Sequence, residues 1–132
     1  MEDMAKTTKW QFFVPGPLPA QNQLNNMQRG PKARRYNKAK TDWAFLVAHA
    51  ARSAGVPPMA GRVTFSFEWQ ELNRRRDPDN ISGAGRKFIL DGLVGAGILK
   101  TDGWAGVAGF GGETFVVDAK RPGVFVTIEL AE

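Results

Sequence analysis

Arg62-Val-Thr-Phe-Ser-Phe-Glu-Trp-Gln70 is the stretch that decides the fold. Val63, Phe65, Phe67 and Trp69 alternate with Arg62, Thr64, Ser66, Glu68 and Gln70. Successive side chains of a strand point to opposite faces, so this stretch predicts a β-strand with one apolar and one polar face. The apolar face must be buried against a second layer.

Working outward from it, the chain supplies that layer. From Lys38 to Ser53 the residues Ala39, Trp43, Leu46, Val47, Ala50 and Ala51 recur at helical spacing, and Gly55 with Pro57-Pro58 ends the helix. A second helix is expected over Arg86 to Ala96, turning Phe88, Ile89, Gly92, Leu93 and Ala96 inward and stopping at Gly97. Its beginning stays open, because Ser82-Gly83-Ala84-Gly85 is poor helix material. Trp10 to Pro15 reads as a first strand, Gln21 to Pro31 as an extended polar loop, and Val124 to Leu130 as a last alternating strand. Val107 to Val117 reads as a short strand or a hairpin around Gly111-Gly112. The order implies an α+β fold: a small, mostly antiparallel or mixed sheet packed against two helices, in a single domain.

With 132 residues there is room for one core. The absence of cysteine excludes disulfides, thiolate metal sites and cysteine nucleophiles. His49, the only histidine, falls opposite the apolar stripe of the first helix, which argues against a histidine-rich metal centre or a histidine base. No apolar stretch is long enough to span a bilayer. Residues 1–9 lack the apolar core of a secretory signal and read as a disordered lead-in, and the absence of cysteine suits a reducing cytoplasm, the expected location. The net charge of +5 favours polyanionic partners. One basic cluster comprises Arg29, Lys32, Arg34, Arg35, Lys38 and Lys40; a second, Arg74-Arg75-Arg76, directly precedes Asp77.

That second cluster opens Asn73-Arg-Arg-Arg-Asp-Pro-Asp-Asn80. Pro78 biases Asp77 towards extended backbone, and in extended geometry Asp77 and Asp79 project to the same side. Paired carboxylates repel unless a cation lies between them, and hard oxygen ligands select Mg²⁺ or Mn²⁺. The same four residues also suit a turn with Asp79 or Asn80 as an N-cap. Asp102 follows the second helix in an Asp-Gly sequence that suits a turn. A helix of about a dozen residues can nevertheless return the chain to a neighbouring strand. Asp102 would there complete a Mg²⁺ site. Lys87 is the nearby cation suited to stabilising charge on a phosphorane-like transition state.

Arg74-Arg-Arg-Asp-Pro-Asp-Asn80, Lys87-Phe-Ile-Leu-Asp-Gly-Leu-Val-Gly-Ala-Gly97 and the following Asp102 resemble the RusA family of Holliday junction resolvases. Pro15-Gly-Pro-Leu-Pro-Ala-Gln-Asn22 is similar to that family's proline-rich segment, and the resemblance runs from about residue 10 to 130. It implies a homodimer that resolves four-way DNA junctions by paired nicks. Its metal-binding aspartates correspond to Asp77, Asp79 and Asp102, its catalytic lysine to Lys87, and a supporting asparagine to Asn80. In the family the lysine follows the second aspartate by about one helical turn; here it follows by eight positions. If Ser82 to Gly85 extend the helix, Lys87 moves about 6 Å along the axis and about 40° around it. If they form a glycine bulge, Lys87 keeps the family's place, and Arg86 is a further candidate for the cation.

The expected chemistry is Mg²⁺-assisted phosphodiester hydrolysis with no organic cofactor. Arg74, Arg75, Arg76 and Lys87 would contact branched double-stranded DNA. The alternatives are a nuclease for flaps or forks and a non-catalytic DNA-binding module.

Overall fold

The computed structural model describes residues 8–19 and 33–131. The loop expected over Gln21 to Pro31 lies outside them, as do the proline-rich segment's Asn22 and nearly all of the lead-in.

Six elements follow in the order β1 (Lys9–Pro15), α1 (Ala33–Ser53), β2 (Val63–Glu71), α2 (Pro78–Gly95), β3 (Val107–Val117) and β4 (Gly123–Leu130). The strands form one sheet in the order β1-β4-β2-β3. β4 runs antiparallel to both β1 and β2, with Phe67 opposite Val126 and Phe12 opposite Val126 on its other side. The α+β architecture, with two helices on a small mixed sheet, is as the sequence implies.

The alternation of β2 holds from Val63 to Trp69, with Val63, Phe65, Phe67 and Trp69 all buried, and breaks at Gln70, which is also buried. They share a face with Phe12, Val14, Val124, Val126 and Ile128, and the core closes over them with Val47 and Ala51 of α1 and Ile81, Phe88, Ile89 and Leu93 of α2. The polar face carries Gln11, Ser66, Glu68, Thr114 and Thr127, which line a shallow groove.

Of the two forms expected for Val107 to Val117, the strand is the one found; it has 11 residues and pairs with β2 in parallel. The glycines at 111 and 112 fall where the register slips between Phe65 and Phe67, so they mark an irregularity within the strand. The second helix begins at Pro78, eight positions before Arg86. Ser82-Gly83-Ala84-Gly85 is helical because tertiary packing demands small residues there. A Cβ on Gly85 would fall inside the indole of Trp69, and one on Gly92 would lie 2.7 Å from the Cβ of Val47 on α1. Gly85 and Gly92, unfavourable for a helix in isolation, are what let α2 lie close to the sheet and to α1, whereas Gly83 is exposed.

This explanation separates glycines on one helix. Gly85→Val should destabilise the fold by at least about 1–3 kcal/mol through overpacking. Gly95→Ala, where a Cβ would meet nothing within 4 Å, should be neutral or stabilise by up to about 1 kcal/mol. Urea denaturation of the two variants is the check.

Candidate active site

β2 carries the chain to Glu71 at one end of the sheet, where residues 72–77 turn it into α2. The helix then runs back, and residues 96–106 deliver the chain to the start of β3, beside Val63. A parallel crossover of this kind puts the residues entering and leaving α2 at opposite ends of the sheet.

Asp77 stands at the entry. It is the N-cap residue, extended at φ −75° and ψ 145° as Pro78 requires, and Pro78 occupies the first turn. Its carboxylate makes no capping hydrogen bond. Asp79 lies inside the first turn, so the expected pair of extended carboxylates is corrected to one extended and one helical residue. Its Oδ1 accepts a hydrogen bond from the backbone N–H of Asn80 at 3.0 Å, and the positive end of the helix favours its charge. Asp77 also borders a cleft of about 360 Å³ shared with Glu71, Arg74, Ile81, Phe115 and Val117.

The three arginines before Asp77 differ in what they are free to do. Arg76 Nη1 donates to the carbonyl of Leu18 at 2.7 Å and Nη2 to Glu71 Oε2 at 3.2 Å. Its Nε lies 3.0 Å from Glu71 Oε1, close enough for an ion pair though not aligned for a hydrogen bond. Arg76, expected to grip phosphate, is thus a strut between β2 and the segment after β1. Arg74 and Arg75 are exposed, and Asn73 Oδ1 accepts the N–H of Arg75 at 2.9 Å to shape the turn. Of the first basic cluster, Arg29 and Lys32 lie outside the described residues. Lys38 pairs with Asp42 at 2.8 Å on the exposed side of α1, and Lys40 borders a second cleft.

That second cleft, of about 570 Å³, holds Lys87 and Asp102 together with Asp91, Lys40 and Lys100. Lys87 Nζ lies 3.0 Å from Asp102 Oδ2 and 3.2 Å from Asp91 Oδ1. Within the loop bearing Asp102, Thr101 Oγ1 accepts the N–H of Gly103, and the carbonyl of Gly103 accepts the N–H groups of Gly106 and Val107. Arg62, directly before β2, donates through Nε to the carbonyl of Trp104 at 2.9 Å. Trp104 itself is 89% exposed.

Arg86 does not share this cleft. Its guanidinium pairs with Glu113 and lies 4.3 Å from the ring centre of Phe110. Successive helix positions differ by about 100° around the axis, so Arg86 meets the sheet while Lys87 meets Asp102. Helix continuity through Ser82 to Gly85 leaves Lys87 two turns beyond Asp79, about 12 Å along the axis. Lys87 and Asp102 are therefore brought together, whereas Asp77 and Asp102 border different clefts. Among the described residues no three acidic or histidine side chains gather as a metal-holding group, so the expected three-aspartate cluster is not assembled within this chain. His49 is exposed.

Two features of the site escape the sequence reading. Asp91 carried a usable signal, its i,i+4 spacing from Lys87. Glu113 carried none, because its partners Trp69 and Arg86 meet it only through the parallel pairing of β2 and β3. No family model matches the sequence, and no curated protein matches it either. Among the described residues no helix is long and apolar enough to cross a membrane.

The hydrogen bond to Asp102, then that to Asp91, holds the Lys87 ammonium above its ordinary pKa of 10.5, against a smaller opposing effect of burial. The hydrogen bond from Lys87, then its charge, holds Asp102 below its ordinary 3.8. The raised lysine contributes stability that is complete below 10.5 and lost as pH rises through its folded-state value. The lowered aspartate contributes stability present above 3.8 and lost as pH falls through its folded-state value. Both side chains are well exposed, so Asp102→Asn should cost less than about 1 kcal/mol at pH 7, with the difference from wild type shrinking as pH falls below 3.8 and through the folded-state value of Asp102. Denaturation curves at several pH values test this.

The arginines offer a second check. Arg76→Ala should destabilise by about 1–3 kcal/mol, because it strands the largely buried Glu71 carboxylate. Arg74→Ala should change stability by less than about 0.5 kcal/mol. Thermal unfolding of the two variants distinguishes the strut from the free cation.

Proposed function

We propose that the protein is a Mg²⁺-dependent endonuclease of branched DNA that resolves four-way junctions by paired nicks, as the resemblance to RusA resolvases implies. The observation that carries the reading is the loading of one helix. Asp77 and Asp79 stand at its N-terminus, and two turns on it presents a lysine held against Asp102.

The donor set fits the metal in part. Asp77 has no capping bond and Asp79 accepts one backbone N–H, so both keep oxygen lone pairs of the hard kind that Mg²⁺ takes. These two residues would hold the ion, and when bound it supplies an acidified water for attack on phosphorus. Asp102 does not join them in the single chain; its carboxylate pairs with Lys87 instead. The Lys87 ammonium would offset negative charge developing on the phosphate. Arg74 and Arg75, exposed beside Asp77, would bind backbone phosphates on either side, a contact that fixes position without reading sequence. A homodimer suits the task, because a two-fold junction presents two equivalent strands for nicking.

A second reading draws support from the separation of Asp77 and Asp102 into different clefts. In it the protein binds branched DNA without cutting it, and its aspartates only cap the helix and pair with Lys87.

A synthetic four-way junction with Mg²⁺ decides between the two. Wild type should nick it, EDTA should abolish nicking, and Asp77→Asn and Asp79→Asn should each lower the rate by about 100-fold or more. Binding that survives EDTA with no product in Mg²⁺ or Mn²⁺ would favour the binding module. Full nicking by Asp77→Asn would overturn the nuclease reading as drawn. Linear, flapped and forked substrates in the same assay establish which branch is preferred.

A further inference from the structure

One ammonium, that of Lys87, bridges two carboxylates that belong to different parts of the chain. The two are not equivalent. Asp102 sits on the connection from α2 to β3, so its distance from Lys87 depends on where that loop lies. Asp91 sits on α2 itself, one turn beyond Lys87, on backbone flanked by the buried Leu90 and Gly92. Its side chain is also the less exposed, 31% against 41% for Asp102. The i,i+4 spacing keeps Asp91 within reach of Lys87 whatever the loop does. An unanchored lysine on a four-carbon stem samples many rotamers, and a charge that must meet a phosphate gains from having them restricted.

We infer that Asp91 is the positioning residue for Lys87: it anchors Nζ at the wall of the cleft and keeps it there when Asp102 is claimed by substrate or a cation. Asp91 touches no reacting group in this arrangement and acts only through Lys87. The inference rests on the nuclease reading for its purpose, though not for its geometry.

The test uses the full chain with Asp91→Asn and Asp91→Glu, in two measurements. In junction nicking, Asp91→Asn should lower kcat by about tenfold or more with KM changed less than about twofold. Asp91→Glu, whose carboxylate still reaches Nζ, should recover most of the loss. In ¹H–¹⁵N spectra of the lysine ammonium groups, the slowly exchanging Lys87 signal, assigned with Lys87→Met, should survive Asp102→Asn and disappear in Asp91→Asn. A signal that persists in Asp91→Asn overturns the inference. So does wild-type kcat in that variant, or a loss that Asp91→Glu fails to recover. A wild type that never nicks removes the nuclease reading instead, and the ammonium spectrum still decides whether Asp91 holds Lys87.

Discussion

The contact between the Trp69 indole and the glycine face of α2 governs the rest of the molecule. The ring is 1% exposed and lies where a side chain on Gly85 would be, so the helix can approach β2 only at a residue without a Cβ. Its Nε1–H donates to Glu113 Oε2 at 2.7 Å, and the same carboxylate takes the guanidinium of Arg86. One aromatic side chain therefore sets the height of α2 above the sheet, ties β2 to its parallel neighbour β3, and fixes the rotation of the helix about its axis. With Arg86 turned to the sheet, the next residue has no choice but to face the connection that carries Asp102.

Once its rotation is fixed, α2 acts as a ruler. Hydrogen bonding is continuous from Pro78 to Gly95, so every residue between Asp79 and Lys87 adds about 1.5 Å. The eight positions from Asp79 to Lys87 thus set the lysine two turns, about 12 Å, along the helix. The parallel pairing of β2 and β3 adds to the separation, since it sends entry and exit of the helix to opposite ends. The two clefts follow from these constraints.

The sequence made the sheet legible wherever burial alone dictates pattern. The alternation from Val63 to Trp69 and from Val124 to Ile128 survives in the fold, as does the stripe of α1 from Trp43 to Ala51. Reading failed where two elements must meet before a residue's role exists. The glycines at 83 and 85 argue against helix in isolation, and at Gly85 only the indole packed against it reverses the argument. The glycines at 111 and 112 signal a turn, yet the parallel ladder to β2 absorbs them as a slip in register. In the site, Pro78 made the extended backbone of Asp77 legible, while the division of labour among Arg74, Arg75 and Arg76 was not. Glu71, the partner that claims Arg76, lies only five positions away, but a carboxylate at the end of a strand gives no sign of which arginine it will choose.

That division bears on how the molecule can meet a polyanion. A run of three arginines beside two aspartates looks like a block of charge to be neutralised by phosphate. In the fold one of the three is already neutralised by Glu71, and Arg86 by Glu113. Both internal pairs are partly buried, where exchanging a protein carboxylate for a phosphate would leave an uncompensated charge out of water. On the proposed nuclease reading, the exposed Arg74 and Arg75 at the N-terminus of α2 and Lys87 two turns along are cations that would meet a DNA backbone without that penalty. They flank the segment of helix that carries Asp79. A strand following these charges would cross the first turns of α2 along the side where the small residues Ser82 and Gly83 leave room, and there its phosphates would come closest to the carboxylates.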